Sequence, residues 1–392
     1  MIAKIAIFII CAIVICDVYL AWNWRLIIKN HIKHTWERPL TLALLIIASG
    51  VAIYDTVKQA QEPDYFPDDF ASLFTYIGML VVFVIPLVLI TLCGIIGSFF
   101  KKKLAGYTVG FWLSAVCIVA YLYGKGAGFK QIEVKHVELT FDELPPAFDG
   151  YRIVQFSDAH VGTMFDGREE LLQRAVDSIN AQKADLIVFT GDLVNKRPSE
   201  LEPHIKLLST LEARDGVYSI LGNHDYPMYL ADNNPAVEYE HLEYMGYLQQ
   251  KMGWHLLRNY SVVLRRGNDS IILAGLENEG MGRMPQKSDI RHALWGVNRD
   301  QFVIMLEHDP TAWRRKILKD CHAQLTLSGH THGGQLSLFG LSPAALAYQE
   351  YEGLYTIGSR QLYVTKGLGG VVPFRLGASG EIVVITLHKT KV

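Results

Sequence analysis

The chain has 392 residues, a formal net charge of −2 and 50% hydrophobic residues. A nearly neutral chain without a basic patch interleaved with aromatic residues lacks the positive field of a nucleic-acid-binding protein, so nucleic acid is not an expected partner. The mean hydropathy of +0.17 is high for a soluble protein. Because the apolar excess lies in the first third of the chain, the composition predicts a membrane region followed by a soluble part.

Four apolar stretches account for this excess, and each is about long enough to cross the roughly 30 Å hydrocarbon core of a bilayer as a helix. They cover residues 3–22, 39–57, 73–99 and 106–123. Pro86 predicts a kink in the third stretch, because proline lacks the N–H that a helix interior needs. We predict four transmembrane helices. The alternative, a buried helix of a soluble domain, is strongest for the second stretch.

The charges between these stretches predict an orientation, since positively charged loops stay on the cytoplasmic side. The connections after the first and third stretches are basic, and the connection after the second is acidic. The basic side chains are Arg25, Lys29, Lys33, Arg38, Lys101, Lys102 and Lys103, and the acidic ones are Glu62, Asp64, Asp68 and Asp69. Both termini, and with them the soluble part, are therefore expected outside the cytoplasm. Loss of the second span would invert this orientation.

Beyond residue 124 the sequence changes to alternating strand and helix patterns. We divide the chain into a transmembrane region, 1–124, a linker with a leading strand, 125–149, and a folded domain, 150–392. The glycine-rich segment 124–128 predicts a flexible linker, and residues 132–139 alternate polar and apolar side chains as a half-exposed strand does. The expected fold class of the domain is α/β, with two packed sheets and helices outside. Amphipathic helices are predicted at 168–182, 201–213 and 236–252, and strands at 270–276, 362–365 and 381–387.

Five short segments of this domain end in side chains that bind metals. Each follows an apolar run that predicts a buried strand. Side chains at the point where a strand gives way to a loop are typical of functional sites in α/β proteins. The candidate ligands are Asp158, His160, Asp192, Asn223, His308, His330 and His332. Any one of them is explained as a turn or capping residue, but all five segments together indicate one convergent metal centre.

The chemistry of these side chains predicts a hydrolase. Carboxylate, imidazole and amide ligands suit Mn, Fe or Zn, and they also accept Mg. Seven ligands are too many for one tetrahedral ion, but they suit two divalent ions that share a bridging carboxylate. Two ions roughly 3.5–4 Å apart can hold a bridging hydroxide and clamp the oxygens of a phosphoester during in-line attack.

The motif set D-x-H, G-D, G-N-H-D, H and G-H-T-H-G-G-Q resembles the calcineurin-like metallophosphoesterase superfamily, and most closely its bacterial membrane-tethered branch. The similarity covers about residues 150–388, including a C-terminal K-G-L-G-G segment, and it does not extend to residues 1–130. It implies an αββα sandwich. It also implies a location in a bacterial cytoplasmic membrane.

The resemblance implies a role for each motif residue. Asp192 would bridge the two ions, and His224 would face the substrate phosphate as the catalytic residue, where it stabilises charge or protonates the leaving oxygen. Asp225 would orient His224 or a ligand, and Asp309 would do the same for His308 or serve as a turn residue. The first ion would be held by Asp158, His160 and His332, and the second by Asn223, His308 and His330.

The sequence as a whole predicts a membrane-anchored, dinuclear metal-dependent phosphohydrolase that cleaves a phosphoester or pyrophosphate bond by means of a metal-bound hydroxide. A lipid-linked phosphorylated substrate is favoured because the site is tethered at a bilayer. An inactive metal-binding sensor or structural protein is the first alternative, and the intact motifs disfavour it. The second is a transporter with an attached phosphatase domain, which the scarcity of mid-membrane ionisable residues disfavours. Arg283 or Arg375 would pair with a phosphate or form a surface salt bridge.

Overall fold

The computed structural model describes residues 2–28, 37–64, 70–165 and 167–390. The chain forms two compact units, Met1–Tyr123 and Gly124–Val392. The described part of the first unit is helical, and every described strand lies in the second unit.

Long apolar helices make up the first unit. Their bounds are α1 Ile2–Ile28, α2 Glu37–Ala60, α3 Phe70–Met79, α4 Ile85–Phe99 and α5 Lys103–Tyr123. Four helical stretches are long and apolar enough to cross a membrane, namely Lys4–Trp24, Pro39–Ala60, Phe70–Phe99 and Lys103–Gly128. The number of these helices equals the number of predicted spans, and their crossing of a membrane stays a prediction. The orientation stays a prediction, and four of the charges behind it, Lys29, Lys33, Asp68 and Asp69, lie outside the described residues.

The third span changes its helical geometry close to the proline. A π-helical turn, Leu80–Val84, joins α3 to α4, and Pro86 follows within the first turn of α4. Proline cannot donate to the carbonyl four residues earlier, here that of Val82, and its ring crowds that carbonyl. A π turn is a common local adjustment of this kind inside a long helix.

Glycines allow α4 and α5 to pack closely. Gly106 and Gly110 lie one turn apart on α5, and a Cβ added to Gly106 would overlap the carbonyl oxygen of Cys93. A Cβ added to Gly110 would lie 2.7 Å from the Cα of Ile90. Small residues at this spacing let the backbones of membrane helices approach, which replaces the hydrophobic driving force that lipid does not provide.

Gly106→Ala is therefore expected to destabilise the first unit, at a cost of about 1–3 kcal/mol for forcing a methyl group into a packed contact. The matched control is Gly50→Ala on α2, because a Cβ at Gly50 meets nothing within 4 Å. Both variants replace a glycine in a helix with alanine, so the stability gained from the higher helix propensity of alanine is the same in each. Thermal unfolding of the detergent-solubilised chain measures the difference, and equal midpoints for the two variants would contradict this account of the helix contact.

Two six-stranded sheets form the centre of the second unit. The strands are β1 Ile132–Phe141, β2 Tyr151–Phe156, β3 Leu186–Thr190, β4 Val217–Ile220, β5 His255–Leu256, β6 Tyr260–Arg266, β7 Asp269–Gly275, β8 Val303–Leu306, β9 Leu325–Ser328, β10 Gly353–Ile357, β11 Arg360–Val364 and β12 Gly380–Lys389. The first sheet has the order β1-β12-β2-β3-β4-β5, and the second has the order β10-β11-β9-β8-β7-β6. β2, β3 and β4 run parallel, as do β7, β8 and β9.

Three apolar cores hold these layers together. The helices of this unit are α6 Glu169–Ala181, α7 Ile205–Leu208, α8 Pro235–Lys251, α9 Ile290–Ala293 and α10 Leu318–Asp320. A central core contains residues of both sheets, such as Ile153 and Ile304. A second core joins the first sheet to α6 and α8, and a third joins the second sheet to α9 and Trp313. Helices therefore cover both outer faces, and the predicted αββα sandwich is confirmed.

The helix predicted at 201–213 is wrong. A 3-10 helix covers Pro198–His204, and α7 spans only Ile205–Leu208. Pro203 interrupts the first turns because it supplies no N–H. The hydroxyl of Thr210 bonds the carbonyl of Leu207 at 2.7 Å, which competes with continuation of the helix.

The segment 124–128 is also not the flexible linker that its glycines predict. Gly124–Gly128 forms a π-helical turn. The carbonyl of Gly124 accepts hydrogen bonds from the backbone N–H of Phe129 and of Arg375, at 2.9 and 3.1 Å. A Cβ on Gly124 would overlap the ring of Phe374. The glycine here allows close packing and does not serve as a hinge.

The carboxyl ends of five strands carry the candidate ligands. Asp158, Asp192 and Asn223 follow β2, β3 and β4 of the first sheet, whereas His308 and His330 follow β8 and β9 of the second. Since parallel neighbours end at the same edge of a sheet, this topology places the five ligand-bearing loops together, at the place where α/β folds bind ligands.

Candidate metal centre

Six of the candidate ligands form two groups. The ligand atoms of Asp158, His160 and His332 lie within 4.8 Å of one another, and so do those of Asp192, His308 and His330. The side chains of both groups are at most 6% exposed, except that of His332, which is 17% exposed. The membership of each group matches the predicted division between two ions. The binding of an ion by each side chain stays a prediction.

Asp192 connects the two groups. Its Oδ2 lies 3.2 Å from the Nε2 of His308 in its own group and 3.7 Å from the Nε2 of His160 in the other. Its Oδ1 accepts a hydrogen bond from the backbone N–H of His224 at 2.8 Å. A carboxylate that faces ligands of both groups with one oxygen occupies the position that a bridging ligand requires.

Asn223 contributes a neutral oxygen from the loop that also carries His224. Its amide nitrogen donates to the hydroxyl of Tyr229 at 2.7 Å, which fixes the amide plane. Its Oδ1 is buried and has no hydrogen-bond partner among the described residues. The arrangement leaves the oxygen as the side of the amide that can bind a cation.

The backbone at the centre is unusually strained. Five of the seven candidate ligands have φ in the left-handed region, between 45° and 75°, where non-glycine residues are rare. Such conformations cost of order 1–3 kcal/mol each and cluster at functional sites. The five are Asp158, His160, Asp192, His330 and His332.

Two motif glycines are required for a different reason, namely the close approach of neighbouring loops. A Cβ on Gly222 would overlap the carboxylate of Asp192, and a Cβ on Gly329 would overlap the side chain of Ser157 and lie 2.5 Å from an oxygen of Asp158. Only glycine lets these loops come so close. The glycines of G-N-H-D and G-H-T-H thus bring the ligand loops into contact.

Unpaired polar atoms test whether these residues fit metal ions. The Nε2 of His160, the Nδ1 of His332 and the Oδ1 of Asn223 are buried without a hydrogen-bond partner in the described part of the chain. A buried unsatisfied polar group costs about 1–3 kcal/mol, and each of these three atoms has a lone pair that a cation would satisfy. Together with two buried carboxylates, the set fits a pair of divalent ions.

The electrostatics of three of the four candidate imidazole ligands suit metal binding, which requires neutral histidine. Burial, with His224 as the next cause, lowers the pKa of His160 to about 3. Burial lowers the pKa of His330 to about 4 and that of His332 well below its usual value. These three rings are therefore neutral at pH 7 and can offer a lone pair.

His308 and Asp192 form a charged pair within this cluster. Burial alone would lower the pKa of His308, but the carboxylate of Asp192 outweighs it, and the pKa is raised to about 10. Burial works against ionisation of Asp192 as well, yet His308 holds the pKa of Asp192 well below its usual value. Asp192 is therefore an anion near neutral pH, as a bridging ligand must be.

Asp225 acts on the backbone of the ligand loops. Its carboxylate accepts hydrogen bonds from the backbone N–H groups of Gly222 and Asp192, both at 2.9 Å, and from those of Leu193 and Val194, at 2.8 and 3.1 Å. The two loops that carry Asp192 and His224 are thus joined by one buried side chain. Asp225 positions His224 through the backbone rather than through a contact with its ring.

His224 lies beside both groups and is held in one orientation. Its Nδ1 bonds the carbonyl oxygen of Asn195 at 2.7 Å, so this nitrogen carries a hydrogen. Its ring stacks on Tyr229 with 4.3 Å between centroids, and the ring of His160 lies 4.8 Å away. With Nδ1 occupied, Nε2 is the nitrogen that can exchange a proton with a substrate.

Asp309 does not support His308, contrary to that interpretation of the sequence. The Nδ1 of His308 bonds the carbonyl of Thr190 at 2.7 Å. Asp309 lies instead 4.0 Å from the Nε2 of His330. The same nitrogen of His330 contacts the hydroxyl of Tyr348 at 3.0 Å, a partner that no motif in the sequence indicates.

Arg375 is neither a phosphate ligand nor a surface residue. It is 1% exposed, and its guanidinium donates to the carbonyls of Lys366, Gly367 and Gly369 at 2.7–3.0 Å. A Cβ on Gly367 would lie 2.6 Å from the Cβ of Asp158. Arg375 therefore holds the K-G-L-G-G segment against a candidate ligand.

A half-buried glutamate that no motif of the sequence indicates fixes the loop whose Asn195 carbonyl bonds His224. The carboxylate of Glu200 accepts hydrogen bonds from the backbone N–H groups of Asn195, Lys196 and Arg197 at 2.6–3.1 Å. Burial raises the pKa of Glu200 to about 7, although those N–H groups oppose the rise. The available signal was an acid in the first turn after Pro198, a pattern typical of a capped helix start.

Glu200→Gln is expected to lower the free energy of unfolding by about 1–3 kcal/mol, because the new amide turns a donor toward a buried N–H that then lacks an acceptor. Denaturant unfolding followed by tryptophan fluorescence measures it. Glu202→Gln is the matched control on the same loop, since Glu202 is exposed and bonds the hydroxyl of Tyr244. An equal loss in both variants would refute the role of Glu200 as a loop anchor.

Comparison with known proteins agrees with this geometry. The family profile described as "Calcineurin-like phosphoesterase" matches residues 151–334. "Uncharacterized metallophosphoesterase YkuE" of Bacillus subtilis is 35% identical over 292 residues, which cover 70% of this chain and 94% of that protein. "Transmembrane protein with metallophosphoesterase domain" of Danio rerio is 33% identical over 283 residues, covering 70% of this chain and 61% of the relative.

Among solved structures, a dimetal phosphatase from Danio rerio aligns with a TM-score of 0.36 at 12% identity, covering 57% of this chain and 89% of that one. The sequence relatives, the profile match and the two groups of ligands all agree on the second unit. The chain belongs to the calcineurin-like metallophosphoesterase family, and it is a phosphoester hydrolase with four helices long and apolar enough to span a membrane.

Proposed function

We propose that the chain is a membrane-anchored dinuclear phosphohydrolase whose seven candidate ligands hold two divalent ions, and whose substrate is a lipid-linked phosphoester or pyrophosphate. The observation that carries this proposal is the position of Asp192 between two groups of metal ligands, with His224 directly beside it. When bound, the two ions would supply Lewis-acid stabilisation of the phosphoryl oxygens and lower the pKa of a water.

The chain itself supplies orientation and proton transfer. Asp192 accepts a hydrogen bond from the backbone N–H of His224. This bond holds the residue that carries the catalytic ring next to the bridging carboxylate. The carbonyl of Asn195 and the ring of Tyr229 hold His224 with its Nε2 directed away from Asn195. In this role the imidazolium form of His224, which carries a hydrogen on Nε2 as well as on Nδ1, would place Nε2 next to the leaving oxygen and give it that proton, or donate a hydrogen bond to a charged phosphoryl oxygen.

The membrane helices favour a lipid-linked substrate. The chain contains four helices that are long and apolar enough to span a bilayer, and the ionisable residues of these helices include no mid-membrane series of the kind that transport requires. Helices that only anchor a hydrolase are useful when the substrate also resides in the membrane. The basic and acidic connections favour an extracytoplasmic site, so envelope lipids are the first substrates to test.

Hydrolysis by the full-length chain in detergent tests the activity. The chain is stripped with a chelator and then supplied with Mn, Fe, Zn or Mg, and bis(p-nitrophenyl) phosphate, p-nitrophenyl phosphate and short-chain phosphatidic acid in mixed micelles are offered in parallel. We expect turnover that requires the added ion and a higher kcat/KM for the lipid than for the soluble monoester. Metal-dependent turnover with no preference for the lipid would refute the substrate class and leave the reaction standing.

The side of the membrane is tested separately with reporter fusions after Lys58, Lys103 and Val392, one reporter active only inside the cytoplasm and one only outside. We expect the reporter that works only outside the cytoplasm to be active when fused after Val392. The reporter that works only inside is expected to be active when fused after Lys103. A cytoplasmic carboxyl terminus would contradict the four-span orientation, and it would move nucleotide-linked lipids to the head of the substrate search.

A further inference from the structure

The loop that follows the last motif is uncharged and apolar at its tip. Residues 333–347 contain no Asp, Glu, Lys or Arg, although such residues make up 19% of the chain. Four large apolar side chains are exposed within it, of which Phe339 and Leu346 are the most exposed, at 104% and 93%. Contiguous exposed apolar residues of this kind mark an interaction surface. The four are Leu338, Phe339, Leu341 and Leu346.

The tip of this loop is a tight hairpin with an unfavourable residue in it. Leu338 and Leu341 exchange two backbone hydrogen bonds at 3.0 and 2.9 Å, so only Phe339 and Gly340 form the turn. Both have positive φ, at 54° and 79°. Turns of this type favour Asn-Gly or Asp-Gly. Phenylalanine in this turn has a strained backbone conformation and a fully exposed apolar ring, and both are unfavourable in water.

Both ends of the loop are fixed to the metal centre. It begins directly after His332, where the hydroxyl of Ser342 bonds the carbonyl of Gly333 at 2.7 Å. It ends at Tyr348, whose hydroxyl contacts the Nε2 of His330 at 3.0 Å. The loop that carries the apolar tip therefore starts next to one candidate ligand and ends at a residue that contacts another.

We infer that the loop 333–347 is a membrane-contacting element that inserts Phe339 and its apolar neighbours into the hydrocarbon edge of a lipid bilayer. A bilayer is the apolar phase that this chain meets, because the chain carries four candidate spans. The lack of charge removes the desolvation penalty of entering the interface, and aromatic and leucine side chains are those that interfacial elements bury there.

Insertion also accounts for the turn residue. Asparagine at position 339 would suit the positive φ of the turn but would bury little apolar surface among acyl chains. For phenylalanine, the free energy gained by burying the ring in the bilayer offsets the cost of the backbone strain. Insertion of this loop does not depend on whether the substrate is a lipid or is water-soluble. It adds to the proposed function a second point of membrane contact, located on the catalytic unit itself.

Photocrosslinking of the full-length chain tests this directly. p-Benzoylphenylalanine replaces Phe339, the chain is reconstituted into vesicles of phosphatidylethanolamine and phosphatidylglycerol, and lipid adducts on the loop peptide are quantified by mass spectrometry after irradiation. The matched control carries the probe at Trp295, which is 85% exposed and lies elsewhere on the same unit. We expect lipid adducts at 339 several-fold above those at 295.

A second variant separates insertion from misfolding. Phe339→Asn keeps the hairpin, because Asn-Gly suits it, and in this background lipid crosslinking from a probe at Leu341 is expected to fall several-fold. Equal lipid adducts at 339 and 295, or adducts from 339 mainly to a second copy of the chain, would overturn the inference. This test measures lipid adducts and not turnover. A failure of the membrane-contact inference can therefore be distinguished from a failure of the proposed hydrolysis.

Discussion

Replacing Asp192 with asparagine is expected to abolish metal binding at both positions and with it the hydrolysis. One oxygen of Asp192 faces His308 and His160 at 3.2 and 3.7 Å, so the two groups of ligands share this carboxylate. A neutral amide cannot bridge two cations. Because even the loss of an outer partner of a metal ligand costs about 10–100-fold in affinity, the loss of the bridge is expected to exceed that at both sites.

The readouts are metal content by mass spectrometry and kcat/KM on bis(p-nitrophenyl) phosphate, which we expect to fall by at least about 10³-fold, since metal ions supply several kcal/mol of transition-state stabilisation. Asp177→Asn is the matched control, because Asp177 lies on α6 and its carboxylate accepts a hydrogen bond from the side chain of Gln173 in the same helix. An Asp192→Asn chain that keeps two ions would contradict the bridging role.

His224→Ala is expected to separate binding from catalysis. Its ring bonds the carbonyl of Asn195 and stacks on Tyr229, whereas its backbone N–H donates to Asp192. Truncation of the side chain therefore leaves the ligand set intact. We expect two ions per chain and a loss of about 10²–10⁴-fold in kcat, the usual contribution of one positioned proton-transfer group.

His322→Ala is the matched control for this variant. His322 contacts the carbonyl of Gln301 at 3.3 Å, and it is not part of the metal centre. Its removal is expected to leave kcat and metal content unchanged. Turnover by His224→Ala at the wild-type rate would remove the assigned catalytic role, and loss of metal would show instead that the ring is structural.

The sequence predicts the centre well because each ligand is local to a strand end. Asp192 and His308 lie in different sheets, yet both are found where a buried apolar run stops, and parallel strands bring such ends together. The number of spans was predictable for a similar reason, since apolar length alone decides whether a helix can cross a bilayer.

What the sequence could not predict depends on how loops rotate and pack. Asp309 faces His330 instead of His308 because the ring of His308 turns toward the carbonyl of Thr190. Arg375 is buried because three carbonyls of one loop converge on it. Gly124 is packed beneath Phe374 and is not a hinge. Such outcomes depend on contacts between segments far apart in the chain, which periodicity and propensity do not encode.

The central claim is that one buried carboxylate and six further side chains hold two ions that act together. Titration of the chelator-treated, full-length chain with Mn, followed by metal content and by hydrolysis of bis(p-nitrophenyl) phosphate in the same samples, tests it most directly. The account predicts that binding saturates at about two ions per chain and that activity rises steeply only as the second position fills. Full activity at one ion per chain, or tight binding of two ions without hydrolysis of any phosphoester, would contradict it.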